Sequence, residues 1–176
     1  MYNPNIHHRR SIRLKDYDYS QNGYYYLTIC TQNRQCLFEN DSVKQMICKW
    51  WNELPKKFPN IELDEFVVMP NHIHWIIFLV GADLCVCPNE KQGEHTGSPL
   101  HVIVQWFKTM TTNEYIKNVK KYGWKPFDRK LWQRNYYEHV IRDENKLNRI
   151  REYITNNPLQ WELDENNPKR KSTSSR

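Results

Sequence analysis

The chain has 176 residues, the size of a single domain; 7 Trp, 11 Tyr and 6 Phe within a hydrophobic fraction of 39% exclude a disordered composition. With 26 Lys and Arg against 20 Asp and Glu the net charge is +6, a balance that favours a polyphosphate partner without establishing one. The longest apolar run, Trp75 to Ala82, falls far short of the roughly 18 residues of a membrane-spanning helix, so no membrane partner is expected.

The basic start of the chain leads into no apolar segment of the secretory kind, so a cytoplasmic location is expected. Five cysteines, an odd number with no CxxC pair, argue for reduced thiols over a disulfide framework. Residues 1–20 read as a basic N-terminal arm carrying Arg9, Arg10, Arg13 and Lys15, residues 21–163 as one domain, and residues 164–176 as a disordered polar tail.

After a turn signalled by Asn22-Gly23, Tyr24 to Thr31 is rich in β-formers and predicts the first strand. From Asn40 or Asp41, apolar residues at Val43, Ile47, Trp50, Trp51 and Leu54 predict an amphipathic helix that stops at Pro55. Leu63 to Met69 and His72 to Val80 are β-like runs joined by Pro70-Asn71, which predicts a hairpin. The second run is apolar on both faces, as a central strand covered on both sides would be. Residues 81–98 read as a surface loop. Ser98-Pro99 opens a helix with Leu100, Ile103, Phe107 and Met110 on one face, running to about Val119 before the Tyr122-Gly123 turn. The segment Leu131 to Ile141 is expected to be at least partly extended, and a last helix follows Arg142-Asp143-Glu144, with Leu147, Ile150 and Ile154 inward and Pro158 at its end.

Chemistry concentrates in MPNHIHW, residues 69–75. Strand side chains alternate, so His72 and His74 leave the same face about 7 Å apart and can share one metal ion. A His-x-His pair on a strand more often satisfies hydrogen bonds than binds a metal, so a third ligand is required. In the last helix, Tyr153 and Asn157 lie one turn apart beside the apolar stripe. A His, His, Asn set with open positions suits Mg²⁺ or Mn²⁺ loaded together with a phosphate. Tyr153 reads equally as a boundary residue with a wet hydroxyl, and Asn157 as a helix cap before Pro158. Cys85, Cys87 and His95 match no usual zinc spacing.

The stretches RRSIRLKDYDY, YYYLTICTQNRQCLF, FVVMPNHIHWI, QWFKTMTTNEYI, LWQRNYYEHVIRDE and YITNNPLQW, spanning roughly Arg9 to Trp161, resemble the REP-associated tyrosine transposases. These are a branch of the single-tyrosine HUH (His-hydrophobe-His) insertion-sequence transposases. The resemblance implies an α+β fold with a central antiparallel sheet of about four strands packed with helices, the ferredoxin-like HUH arrangement. It implies that His72 and His74 are metal ligands, Tyr153 the nucleophile and Asn157 the third ligand, where insertion-sequence relatives often carry Gln. The implied activity is a metal-dependent endonuclease and strand transferase that cleaves and rejoins single-stranded DNA at hairpins formed by palindromic repeats. Such an enzyme would pass through a 5′-phosphotyrosine intermediate, as a monomer or a homodimer. Tyr136 and Tyr137 are rival nucleophiles that lack a partner one helical turn away. Arg9, Arg10, Arg13 and Lys15, then Arg134 and Arg142, are candidate phosphate contacts. The competing expectations are a hairpin-binding regulator without catalysis and a nicking replication initiator using the same chemistry.

Overall fold

The computed structural model describes residues 22–80 and 99–170. The arm residues Arg9, Arg10, Arg13 and Lys15, the expected loop 81–98 with Cys85, Cys87 and His95, and the last six residues lie outside the described residues.

In chain order the elements are β1 (Gly23–Cys30), α1 (Asp41–Lys57), β2 (Ile61–Val68), β3 (His72–Leu79), α2 (Pro99–Tyr122), β4 (Tyr137–Ile141) and α3 (Glu144–Asn156), with short 3-10 turns at Gln32–Arg34 and Asn157–Leu163. The four strands form one sheet in the order β2-β3-β1-β4, and every neighbouring pair is antiparallel. The βαββαβ sequence with that strand order is the ferredoxin-like arrangement, an α+β fold. The hairpin expected at Pro70-Asn71 joins β2 to β3, closed by the Met69 N–H donating to His72 O at 2.9 Å.

Strand alternation divides the sheet's side chains between two environments. Tyr25, Leu27 and Ile29 of β1 and Ile73, Trp75 and Ile77 of β3 enter the main core with Ile47, Trp51 and Leu54 of α1 and Ile103 and Phe107 of α2. The alternate residues, including Tyr24 and Tyr26 of β1 and Ile76 of β3, meet Leu147, Ile150 and Ile154 of α3 in a smaller cluster. His72 and His74 occupy β3 positions in step with Ile76 and share that second face. A bulge of β2 between Leu63 and Phe66 presents Asp64 to Arg151 of α3, whose Nε donates to Oδ1 at 2.9 Å and whose Nη2 donates to Oδ2. The ion pair tethers the helix to the sheet.

Four element boundaries differ from those read in the sequence. α1 passes through Pro55 to Lys57, because the ring removes one donor near the helix end while Leu54 is fully buried and its carbonyl takes the Phe58 N–H at 2.8 Å. Gly23 belongs to β1, paired with Leu79. α2 extends to Tyr122 and is ended by Gly123, whose φ of +68° suits the left-handed cap and whose N–H reaches Val119 O. Pro158 does not stop the chain's helical course: it sits in the first turn of the 3-10 segment that continues from α3, where its missing N–H costs nothing.

The expected disordered tail begins too early. Asp164 and Asn166 are buried, held by side chains that the polar composition of 164–176 did not signal. The Arg34 guanidinium donates to Glu165 O at 3.1 Å, and the Asn71 amide donates to Asn166 O at 2.7 Å. Residues 164–166 therefore pack against the start of β3.

Candidate active site

Asn71, in the β2–β3 turn, organises the site from its centre. Its amide nitrogen donates to Arg34 O at 3.0 Å as well as to Asn166 O, which turns Oδ1 toward the His72 ring, 2.8 Å from Nδ1. An amide oxygen only accepts, so His72 carries its proton on Nδ1 and leaves a lone pair on Nε2. That atom lies 3.0 Å from Nε2 of His74, closer than the spacing of a flat strand suggests because the two rings tilt toward each other with centroids 4.5 Å apart.

On the far side of His74, Nδ1 meets the Tyr26 hydroxyl at 2.8 Å and the Thr28 hydroxyl at 2.9 Å, and Thr28 Oγ1 donates to Tyr26 Oη at 3.1 Å. Hydroxyls both donate and accept, so this pair accommodates His74 with its proton on either nitrogen. Burial pushes both histidines down to about 3, and they are neutral at pH 7 with lone pairs available. Burial also raises the Tyr26 phenol well above its ordinary value, which keeps its proton in place.

The last helix brings Tyr153 to this pair. Its ring centroid lies 5.4 Å from that of His74 and 6.4 Å from that of Tyr26, and its side of the helix is open, with Tyr153 42% exposed. Partial burial raises the Tyr153 phenol, with Asp164 adding in the same direction, while hydrogen bonding to Asn157 and Tyr26 opposes the rise. Asn157, one turn on, is 3% exposed and its Oδ1 is buried with no hydrogen-bond partner among the described residues. An orphaned amide oxygen on a residue that also interacts with Tyr153 is the kind of hard donor a divalent cation takes. Asp164 adds a carboxylate: its Oδ2 is 3.7 Å from His72 Nε2, and the ligand atoms of His72, His74 and Asp164 all lie within 4.8 Å of one another.

The fold thus brings together His72, His74, Tyr153 and, through its link to Tyr153, Asn157. The rival tyrosines separate. Tyr136 is buried under the Lys108 ammonium, 5.3 Å from its ring centroid, whereas Tyr137 is 57% exposed and packs edge-on to Tyr26 at 6.1 Å. Arg134 and Arg142 are exposed, Arg134 beside a surface cavity of about 660 Å³ between α2 and the 127–136 segment. A second cavity of about 300 Å³ opens at His74, lined also by Thr28, Arg34, Gln133, Tyr137 and Asn166. Sequence reasoning missed Asp164, Asn71, Tyr26, Thr28 and Arg34. Asn71 adjoins His72 and carried a signal in its position; Asp164 lies in a polar stretch with no periodicity, where only the nearby Trp161 hinted at docking.

No family model matches the chain. An uncharacterized protein of Haemophilus influenzae is 40% identical over 179 residues, covering 93% of this chain and 96% of that protein, and the two belong to one family. A second Haemophilus influenzae protein, provisionally named a REP-associated tyrosine transposase, is 23% identical over 145 residues, which cover 81% of this chain and 73% of that one. The chain is thus similar to a REP-associated tyrosine transposase over four fifths of its length. Two solved structures are similar at a TM-score of 0.48: a REP-associated tyrosine transposase bound to a REP hairpin, 21% identical and covering 78% of this chain and 67% of that one, and a provisionally named transposase of Deinococcus radiodurans, 18% identical and covering 82% and 95%. Similarity to the second Haemophilus influenzae protein supports a transposase role. Among the described residues no helix is long and apolar enough to cross a membrane.

Proposed function

We propose that the protein is a divalent-metal-dependent DNA transposase that cleaves and rejoins single-stranded DNA at hairpin elements through a 5′-phosphotyrosine link to Tyr153. The observation that carries this reading is the half-exposed phenol of Tyr153 set 5.4 Å, ring to ring, from a buried, neutral imidazole pair. His72, His74 and Asn157 would hold Mg²⁺ or Mn²⁺, which when bound polarises a non-bridging phosphate oxygen.

Each residue has a distinct task. Asn71 and the Tyr26–Thr28 hydroxyls fix the two rings so that little reorganisation is needed on loading. Free tyrosine has a pKa near 10, so about 0.1% is phenolate at pH 7, and burial here lowers that fraction further. The Tyr153 oxygen attacks phosphorus as its proton leaves, the P–O3′ bond breaks, and the departing oxygen takes a proton to become a free 3′-OH. The number of phosphoester bonds is unchanged, so a 3′-OH from another end reverses the step and joins strands without ATP. In this reading residues 21–163, together with the packed segment 164–166, form the catalytic domain, with residues 1–20 as its arm. Arg9, Arg10, Arg13, Lys15, Arg134 and Arg142 contact backbone phosphates, and the protein acts in the cytoplasm as a monomer or homodimer.

The test is to incubate the protein with a single-stranded hairpin oligonucleotide from the flanks of its own gene in Mg²⁺ or Mn²⁺ and look for an adduct that survives denaturation. An adduct mapping by peptide mass to Tyr153, absent from Tyr153→Phe while hairpin binding persists, is expected. A full-strength adduct in Tyr153→Phe would move the nucleophile to the exposed Tyr137. Tight hairpin binding with no adduct would favour a regulator that has lost catalysis.

A further inference from the structure

The proposed metal site has an element that neither the strand histidines nor α3 supplies. Asp164, from the segment after α3, is 8% exposed, and its Oδ2 faces His72 Nε2 at 3.7 Å, too long for a hydrogen bond. Because Asn71 holds the His72 proton on Nδ1, the two facing atoms are both lone-pair donors. Nε2 of His74 converges on the same point, 3.0 Å from that of His72; with the His74 proton on Nδ1, where the Tyr26 and Thr28 hydroxyls accept it, it turns a third lone pair there. Lone pairs so gathered in a buried space favour a cation among them.

The segment is also held in register with the histidines. Asp164 Oδ1 accepts from the Asn166 N–H at 2.6 Å, Asn166 O accepts from the Asn71 amide, and Cys30 Sγ donates to Asn166 Oδ1 at 3.7 Å. One side chain, Asn71, therefore fixes both the His72 tautomer and the backbone that presents the carboxylate. From this convergence we infer that Asp164 is a direct, anionic ligand of the divalent cation, so that His72, His74 and Asp164 form a three-ligand site that binds metal without DNA. This rests on the metal-dependent reading above and adds to it the source of the site's negative charge. A carboxylate and two imidazoles leave positions open for Asn157 and for a phosphate oxygen, and hard oxygen donors favour Mn²⁺ or Mg²⁺ over softer ions.

The experiment is Mn²⁺ binding to the full chain without DNA, followed by loss of the free-ion electron paramagnetic resonance signal, with folding of each variant checked by circular dichroism. Asp164→Asn and His72→Ala should each weaken Mn²⁺ binding at least tenfold. Asp164→Cys should gain a thiolate-to-cadmium charge-transfer band over wild type with Cd²⁺, and the band should vanish when His72→Ala is added, a result that a purely structural Asp164 would not give. Wild-type affinity in Asp164→Asn alongside loss in His72→Ala would overturn the assignment, as would no Mn²⁺ binding by the wild type in the absence of DNA. Either failure leaves the hairpin adduct free to form, and an absent adduct leaves Mn²⁺ binding free to succeed, so the two readings fail separately.

Discussion

The two faces of the sheet differ in what they exclude. Toward α1 and α2 the core is apolar and ring-on-ring: Trp75 stacks on Trp51 at 5.3 Å and meets Phe107 edge-on at 4.9 Å, and Trp51 stacks on Phe66 at 4.7 Å. Toward α3 the buried apolar cluster is reduced to Ile76, Ile141, Leu147 and Ile154, and the same face then gives way to His72, His74 and Tyr153. The first face supplies the stability that lets the second be polar and open, since desolvating imidazoles and a carboxylate is a cost that the aromatic core offsets.

That division is broken most directly by truncation on each side. Trp75→Ala should cost roughly 3–5 kcal/mol in urea unfolding, and Ile154→Ala about 2–3 kcal/mol because the smaller cluster can relax at its edge. Equal losses would mean that the two faces share the load. Acid sharpens the comparison. In the metal-free protein the folded state keeps His72 and His74 neutral to about pH 3, whereas the unfolded chain takes up protons once the pH falls through about 6.5. Stability is therefore full above that value and declines below it, by about 2 kcal/mol per histidine between pH 7 and pH 5. Urea midpoints measured in EDTA at the two pH values would check this, and a flat profile would show that the imidazoles are solvated. The smallest effect is expected at the tether. Asp64→Ala, which frees Arg151, should cost about 1 kcal/mol, and the loss should shrink in high salt. A salt-independent loss would mean that the bulge, not the ion pair, orients α3.

Periodicity made much of this legible. The Pro70-Asn71 hairpin, the doubly covered β3 and the inward stripe of α3 follow from alternation and helical spacing, and they suffice to put His72, His74 and Tyr153 on one face. What periodicity cannot encode is a contact made by an irregular segment. Asp164 reaches the site after a 3-10 turn, held by hydrogen bonds from Arg34 and Asn71 to main-chain carbonyls of its neighbours, and main-chain acceptors are the same at every residue. Arg34 itself follows β1 in a left-handed conformation, φ 53°, which no sequence period marks. The place of Asn157 one turn from Tyr153 was readable from helical spacing, but its burial was not.

β3 serves two masters by parity: its odd-numbered residues build the aromatic core and its even-numbered ones carry the imidazoles. A slip of one position would send both rings into the core and Trp75 toward Tyr153. The gene should therefore accept many single-letter changes along this hairpin while rejecting the gain or loss of one codon between Met69 and Trp75. Reading-frame-preserving indels, harmless in most tight turns that have slack, would here exchange solvent chemistry for oil in one step.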